Sequence, residues 1–209
     1  MNKISIENLD LNKKMGEGKE SFVYDYGDKV IKIFKSENER TSPFKRISDE
    51  GLMKLQTLPL KHFNKPVDII YDNLKIVGYT ENKLEIDDLN EKLSVDILNE
   101  IKEDIICLSY SGFKIDDIFY NYTSFNNFMF FDMTSYSYVN SEKRELLDFY
   151  YQKNIATINT FLVGLNMFDA YKHGSKNELT KTFKANEFIN KNIGNEYYGD
   201  YIRENSMKM

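Results

Sequence analysis

The sequence predicts an α+β fold in two lobes: a β-rich first third and a mostly helical remainder. Two observations carry this. Up to about residue 82, short runs of β-branched and aromatic residues are separated by tight-turn residues. Beyond it, apolar residues recur at helical spacing. The change falls near Glu81 to Leu84, which divides one domain of residues 1–209 into lobes of 1–82 and 83–209.

The first third reads as paired strands. Val23–Tyr26 and Val30–Phe34 flank Gly27-Asp28-Lys29, a hairpin with a glycine in its turn. Ser42-Pro43 has the form of an N-cap followed by proline at the first helical position. Phe44, Ile47, Gly51, Leu55 and Leu58 would share one face of that helix, and Pro59 would end it. Val67–Tyr71 and Lys75–Tyr79 form a second hairpin around Asp72-Asn73.

After the change in period, Leu89, Leu93, Ile97, Ile101, Ile105 and Leu108 mark a long amphipathic helix. Ile118–Tyr122 and Phe128–Phe131 suggest a small hairpin around Asn126-Asn127. Ile155, Ile158, Phe161, Leu162, Leu165 and Phe168 mark another helix. Residues 180–202 carry two weaker helical patterns.

Composition narrows the function classes. Lysine and arginine number 28 against 33 acids, a net charge of −5 without any basic run, so a nucleic-acid or anionic-membrane partner is not expected. Cys107 is the one cysteine, which rules out an internal disulfide and leaves a zinc site without thiols. His62 and His173 lack ligand-like spacing and are expected in loops. The first ten residues do not read as a signal peptide, and no 18-residue apolar window occurs, so a cytoplasmic location is expected.

Four signals could carry chemistry. Gly16-Glu17-Gly18-Lys19-Glu20-Ser21-Phe22-Val23 places glycines ahead of a strand, where backbone can approach phosphate oxygens. Lys32 lies inside an apolar strand one tight hairpin later. An acid on the following helix, Glu50 or its rival Asp49, could pair with it. Asp116-Asp117-Ile118-Phe119-Tyr120-Asn121 is followed by Asp132. Asp116 is preferred to Asp117, because counting from Asp117 puts Tyr122, a poor magnesium ligand, at the Asn121 position.

In this order and spacing, residues 10–136 resemble the protein-kinase-like family, in a compact bacterial-type form. The resemblance implies a Gly-rich loop over ATP phosphates at Gly16, Gly18, Ser21 and Val23, with Ser21 replacing the third glycine. It implies that Lys32 contacts those phosphates and is braced by Glu50. Asp116 would orient the acceptor hydroxyl, and Asn121 and Asp132 would hold Mg2+. The implied activity is ATP- and magnesium-dependent phosphoryl transfer, by default to a protein Ser or Thr hydroxyl. A small-molecule acceptor and a nucleotide-binding pseudokinase stay open as alternatives.

Several positions depart from the family pattern. Lys114 and Ile115 stand where His-Arg is usual, Ile118 stands where a lysine is usual, and the metal-binding triplet reads Asp132-Met133-Thr134. The short stretch from Asp132 to a helix expected near Ser141 favours a non-peptide acceptor, and the missing arginine argues against phosphate-dependent activation.

Overall fold

A computed structural model describes residues 2–41, 45–84, 95–116, 118, 122–123 and 128–173. These form a mixed α+β structure with one six-stranded sheet and three helices. The sheet is built from β1 (Asn2–Ser5), β2 (Lys14–Glu17), β3 (Ser21–Tyr26), β4 (Lys29–Phe34), β5 (Asp68–Asp72) and β6 (Lys75–Asn82), in the order β1-β5-β6-β4-β3-β2. Only β1 is parallel to its neighbour, β5, and it lies at one edge of the sheet.

Turn chemistry sets the sheet's registers. Gly27 has φ 73° and closes β3 onto β4, pairing Tyr26 with Lys29. Asn73 has φ 54° and closes β5 onto β6. Asparagine tolerates this left-handed region better than most residues. At Gly78 the strands approach so closely that an added Cβ would collide with the Lys32 carbonyl oxygen.

The helix after β4 is shorter than expected. α1 spans Asp49–Thr57 and begins at Ser48, whose hydroxyl accepts the Gly51 N–H at 3.1 Å. The Ser42-Pro43 cap and Phe44 lie outside the described residues. Residues 45–48 stay outside the helix, with Ser48 extended, and the Ile47 N–H donates to the Thr134 carbonyl at 2.7 Å rather than to a helical partner. A local cap signal at Ser42 cannot report a bond to a residue some ninety positions away.

The remaining helices are α2 (Val95–Tyr110) and α3 (Arg144–His173). His173 therefore lies in a helix rather than in a loop. Between them lie β7 (Phe113–Lys114), β8 (Tyr122–Thr123), β9 (Met129–Phe130) and β10 (Ser137–Tyr138). β8 pairs with β9, in the small hairpin the apolar runs predict, and β7 pairs with β10. Leu89 and Leu93, Asn126-Asn127 and the 180–202 patterns lie outside the described residues. Among the described residues, no helix is long and apolar enough to cross a membrane.

One core runs through the molecule. Leu52 and Leu55 of α1, Ile69 of β5, and Leu98, Ile101, Ile105 and Leu108 of α2 are buried together with Ile158 and Leu162 of α3. Phe130 is its aromatic centre, with ring centroids 4.8 Å from Phe63, 5.0 Å from Phe128 and 5.7 Å from Phe161. Polar clamps fix the joints. Asp104 of α2 accepts the N–H groups of Lys61 (2.9 Å) and His62 (2.7 Å). The His62 ring is buried between the Phe128 carbonyl and Glu100. Asn154 of α3 is fully buried; it accepts from Ile115 N and donates to Phe113 O and Ser109 Oγ.

Candidate functional site

A cavity of about 410 Å³ opens beside the sheet. The β2–β3 connection forms one side, through Gly16, Glu17 and Gly18; Val23, Val30 and Lys32 line the sheet side, Phe131 faces them, and Asn82 to Leu84 form the edge. The edge is braced where Asn64 Nδ2 donates to Asn82 O at 2.8 Å and Lys83 N donates to Asp28 O at 2.9 Å.

The glycines have a telling environment. A Cβ at Gly16 would meet nothing within 4 Å, and one at Gly18 would only touch Ser21 O. Neither glycine has positive φ. The protein's own packing thus has no use for their missing side chains, and the space beside them stays open. Ser21 is buried outside the cavity lining, and its carbonyl accepts the Gly18 N–H at 2.9 Å. Its part is to close the turn, not to face a ligand as expected.

Lys32 is the charged centre of the cavity. Its side chain is buried, with Nζ 2.9 Å from Glu81 Oε1 and 3.3 Å from Asp132 Oδ1. Burial pulls the ammonium's pKa down, but the charges of Glu81 and Asp132 more than offset this and hold it well above the lysine range. Burial raises the Glu81 carboxyl against the attraction of Lys32. One Glu81 oxygen, Oε2, is buried with no hydrogen-bond partner among the described residues.

The pairing with Glu50 does not occur. Glu50 Oε1 accepts from Asn140 Nδ2 at 2.7 Å, and its rival Asp49 pairs with Arg46 at 3.1 Å. The brace comes from β6 instead. β6 follows a turn, and its inward positions alternate as Tyr79 and Glu81; that register is the signal from which Glu81 could have been found.

Asp132 sits at the mouth of a tight turn with φ 59°, and Thr134 Oγ1 donates to its Oδ1 at 3.1 Å. Its side chain is 39% exposed, so a hard oxygen ligand remains open to solvent. Asn121 and Asp117 lie outside the described residues. Among the described residues, no group of three or more acidic, histidine or cysteine side chains could hold a metal unaided.

Asp116 is already engaged. Its Oδ1 pairs with Lys114 Nζ at 2.7 Å, and its Oδ2 accepts the N–H and the hydroxyl of Ser137. Lys114, one of the departures noted above, thus supplies a cation beside this carboxylate. Chemically, the arrangement offers a buried ammonium beside an open cavity, a half-exposed carboxylate for a cation, and a second carboxylate that holds a hydroxyl.

No family model matches the chain, and no curated protein matches it. Among solved structures, a Legionella pneumophila Lpg2603 kinase bound to IP6 is similar over 71% of this chain and 76% of that one, at 12% identity and a TM-score of 0.34. So low a likeness decides neither substrate nor chemistry, which must be read from the residues themselves.

Proposed function

We propose that the protein is a phosphotransferase that uses ATP and Mg2+, with the two-lobed kinase-like arrangement its motif order implies. One observation supports this above the rest: the Lys32 ammonium is buried at the wall of a cavity flanked by glycines whose bareness the fold itself does not need. A phosphate chain fits that combination, since backbone can approach it closely and a fixed cation can neutralise it.

In this reading Lys32 holds phosphate oxygens. Asp132, with Asn121, takes the metal; a single open carboxylate suits magnesium, which keeps water and phosphate oxygens as its remaining ligands. The metal would neutralise charge on the transferring group. Asp116 orients the acceptor hydroxyl, which a protein Ser or Thr or a small alcohol could supply. The Ser137 hydroxyl stands where that acceptor would bind and must give way to it.

That last contact also favours a second reading, a nucleotide-binding module without turnover, in which Asp116 serves only to hold Ser137. Thermal shift and ADP release, measured together with ATP and magnesium, separate the readings. A hundredfold excess over Kd should stabilise the fold by roughly 2.7 kcal/mol. Stabilisation with ADP release supports the transferase; stabilisation alone supports the module; neither would remove both.

A further inference from the structure

The lysine of the cavity is held by its own sheet. β4 and β6 are antiparallel, with Lys32 opposite Tyr79 and Val30 opposite Glu81. Lys32 and Glu81 are therefore diagonal neighbours on one face, within reach of long side chains, and their charged ends meet at 2.9 Å. Both side chains are nearly inaccessible to water, so the pair is neither screened nor free to wander.

α1 has no acid to offer. Its carboxylates are Asp49 and Glu50, and these engage Arg46 and Asn140. It is also closely packed where it lies. At Gly51 even an added Cβ would come within 2.9 Å of Tyr138 and Ile47, and Ile47 is itself tied to Thr134.

We propose that Glu81 is the positioning residue of Lys32, so that the phosphate-holding ammonium is set by strand register and does not wait on any movement of α1. This rests on the phosphotransferase reading only where nucleotide is concerned. Glu81 acts through Lys32, and the strand pairing that sets both is part of the folded sheet, so the site is assembled as soon as the sheet forms.

The test compares Glu81→Gln, Glu81→Asp and Glu50→Gln in the full chain, with two readouts. The first needs no nucleotide: the rate at which Lys32 is acylated by an N-hydroxysuccinimide ester, followed by peptide mass. An ammonium released from its partner should react about threefold faster or more in Glu81→Gln, and at the parent rate in Glu50→Gln. The second is MgATP binding by calorimetry, which should weaken about tenfold or more in Glu81→Gln and change less than about twofold in Glu50→Gln. Glu81→Asp keeps the charge on a shorter stem and should fall between; it carries the comparison if Glu81→Gln does not fold. Unchanged acylation in both Glu81 variants, or an equal effect from Glu50→Gln, overturns the proposal. A parent that binds no MgATP while acylation follows the expected pattern leaves the brace standing and removes the phosphotransferase reading instead.

Discussion

The two carboxylate-bearing regions of the site are built in opposite ways. Around Lys32 the nearer carboxylate comes from the adjacent strand, where β6 pairs with β4 and brings Glu81 beside Lys32, while Asp132 reaches in from beyond the sheet. Around Asp116 the partners come from both sides of a long excursion: Ser137 lies 21 residues on, and the backbone of Ile115 is held by Asn154 from α3. The first region depends on the register of β4 against β6. The second depends on single side chains reaching across the core to satisfy backbone groups. Damage should therefore be graded in the sheet and abrupt around Asp116.

Asn154→Ala gives the largest expected effect. It strips partners from Ile115 N, Phe113 O and Ser109 Oγ, all in a buried setting. With about 1–3 kcal/mol for each buried group left unsatisfied, a loss of about 4 kcal/mol is expected from chemical denaturation. A loss under about 1 kcal/mol would mean that water or a neighbour replaces these bonds and that the contrast between the regions is overdrawn.

Lys32→Met is next, at about 3 kcal/mol near pH 8, because it leaves Glu81 buried without its counter-charge. The sign with pH is fixed by burial. The folded Glu81 pKa is raised, so folding favours the protonated carboxyl, and that benefit is present below the unfolded value and lost as pH rises through the folded one. With Lys32 gone, the penalty should shrink toward pH 4.5. Denaturation midpoints at several pH values check this, and a pH-independent penalty would show that Glu81 is not the group left stranded.

Gly112→Ala probes the second region's backbone. Gly112 has φ 89°, and a Cβ there would collide with the Val139 carbonyl, whose own N–H donates to Gly112 O. About 2 kcal/mol is expected, from strain and the displaced contact together. Hydrogen exchange should show it: amides of 137–139 lose protection while those of β4 and β6 keep theirs. Uniform loss would join the two regions into one unfolding unit.

The smallest effect belongs to Glu50→Gln. Its contact with Asn140 lies at the surface and an amide oxygen can replace the carboxylate oxygen, so stability should change by less than about 0.5 kcal/mol. A larger loss in urea unfolding would show that α1 leans on this contact more than its exposure implies.

By itself the sequence determined what local chemistry determines. Gly27 and Asn73 mark turns, runs of β-branched and aromatic residues mark the strands they join, and apolar spacing marks α3 and the part of α2 that lies among the described residues. The approach of the Gly16–Gly18 turn to Lys32 follows from the same hairpins. Tertiary structure decided the pairings. Glu50 has a suitable interval from Lys32, yet interval along a chain does not say which face of a helix meets which strand. Once Ile47 is drawn to Thr134, the helix starts at Ser48 and its acids turn away, leaving Glu81 to supply the charge. Likewise no spacing rule could bring Ser137 onto Asp116 or Asn154 onto Ile115. Turns and hairpin registers are set over a few residues, whereas these contacts exist only after distant segments share one core, where every buried polar group must find a partner from whatever lies nearest.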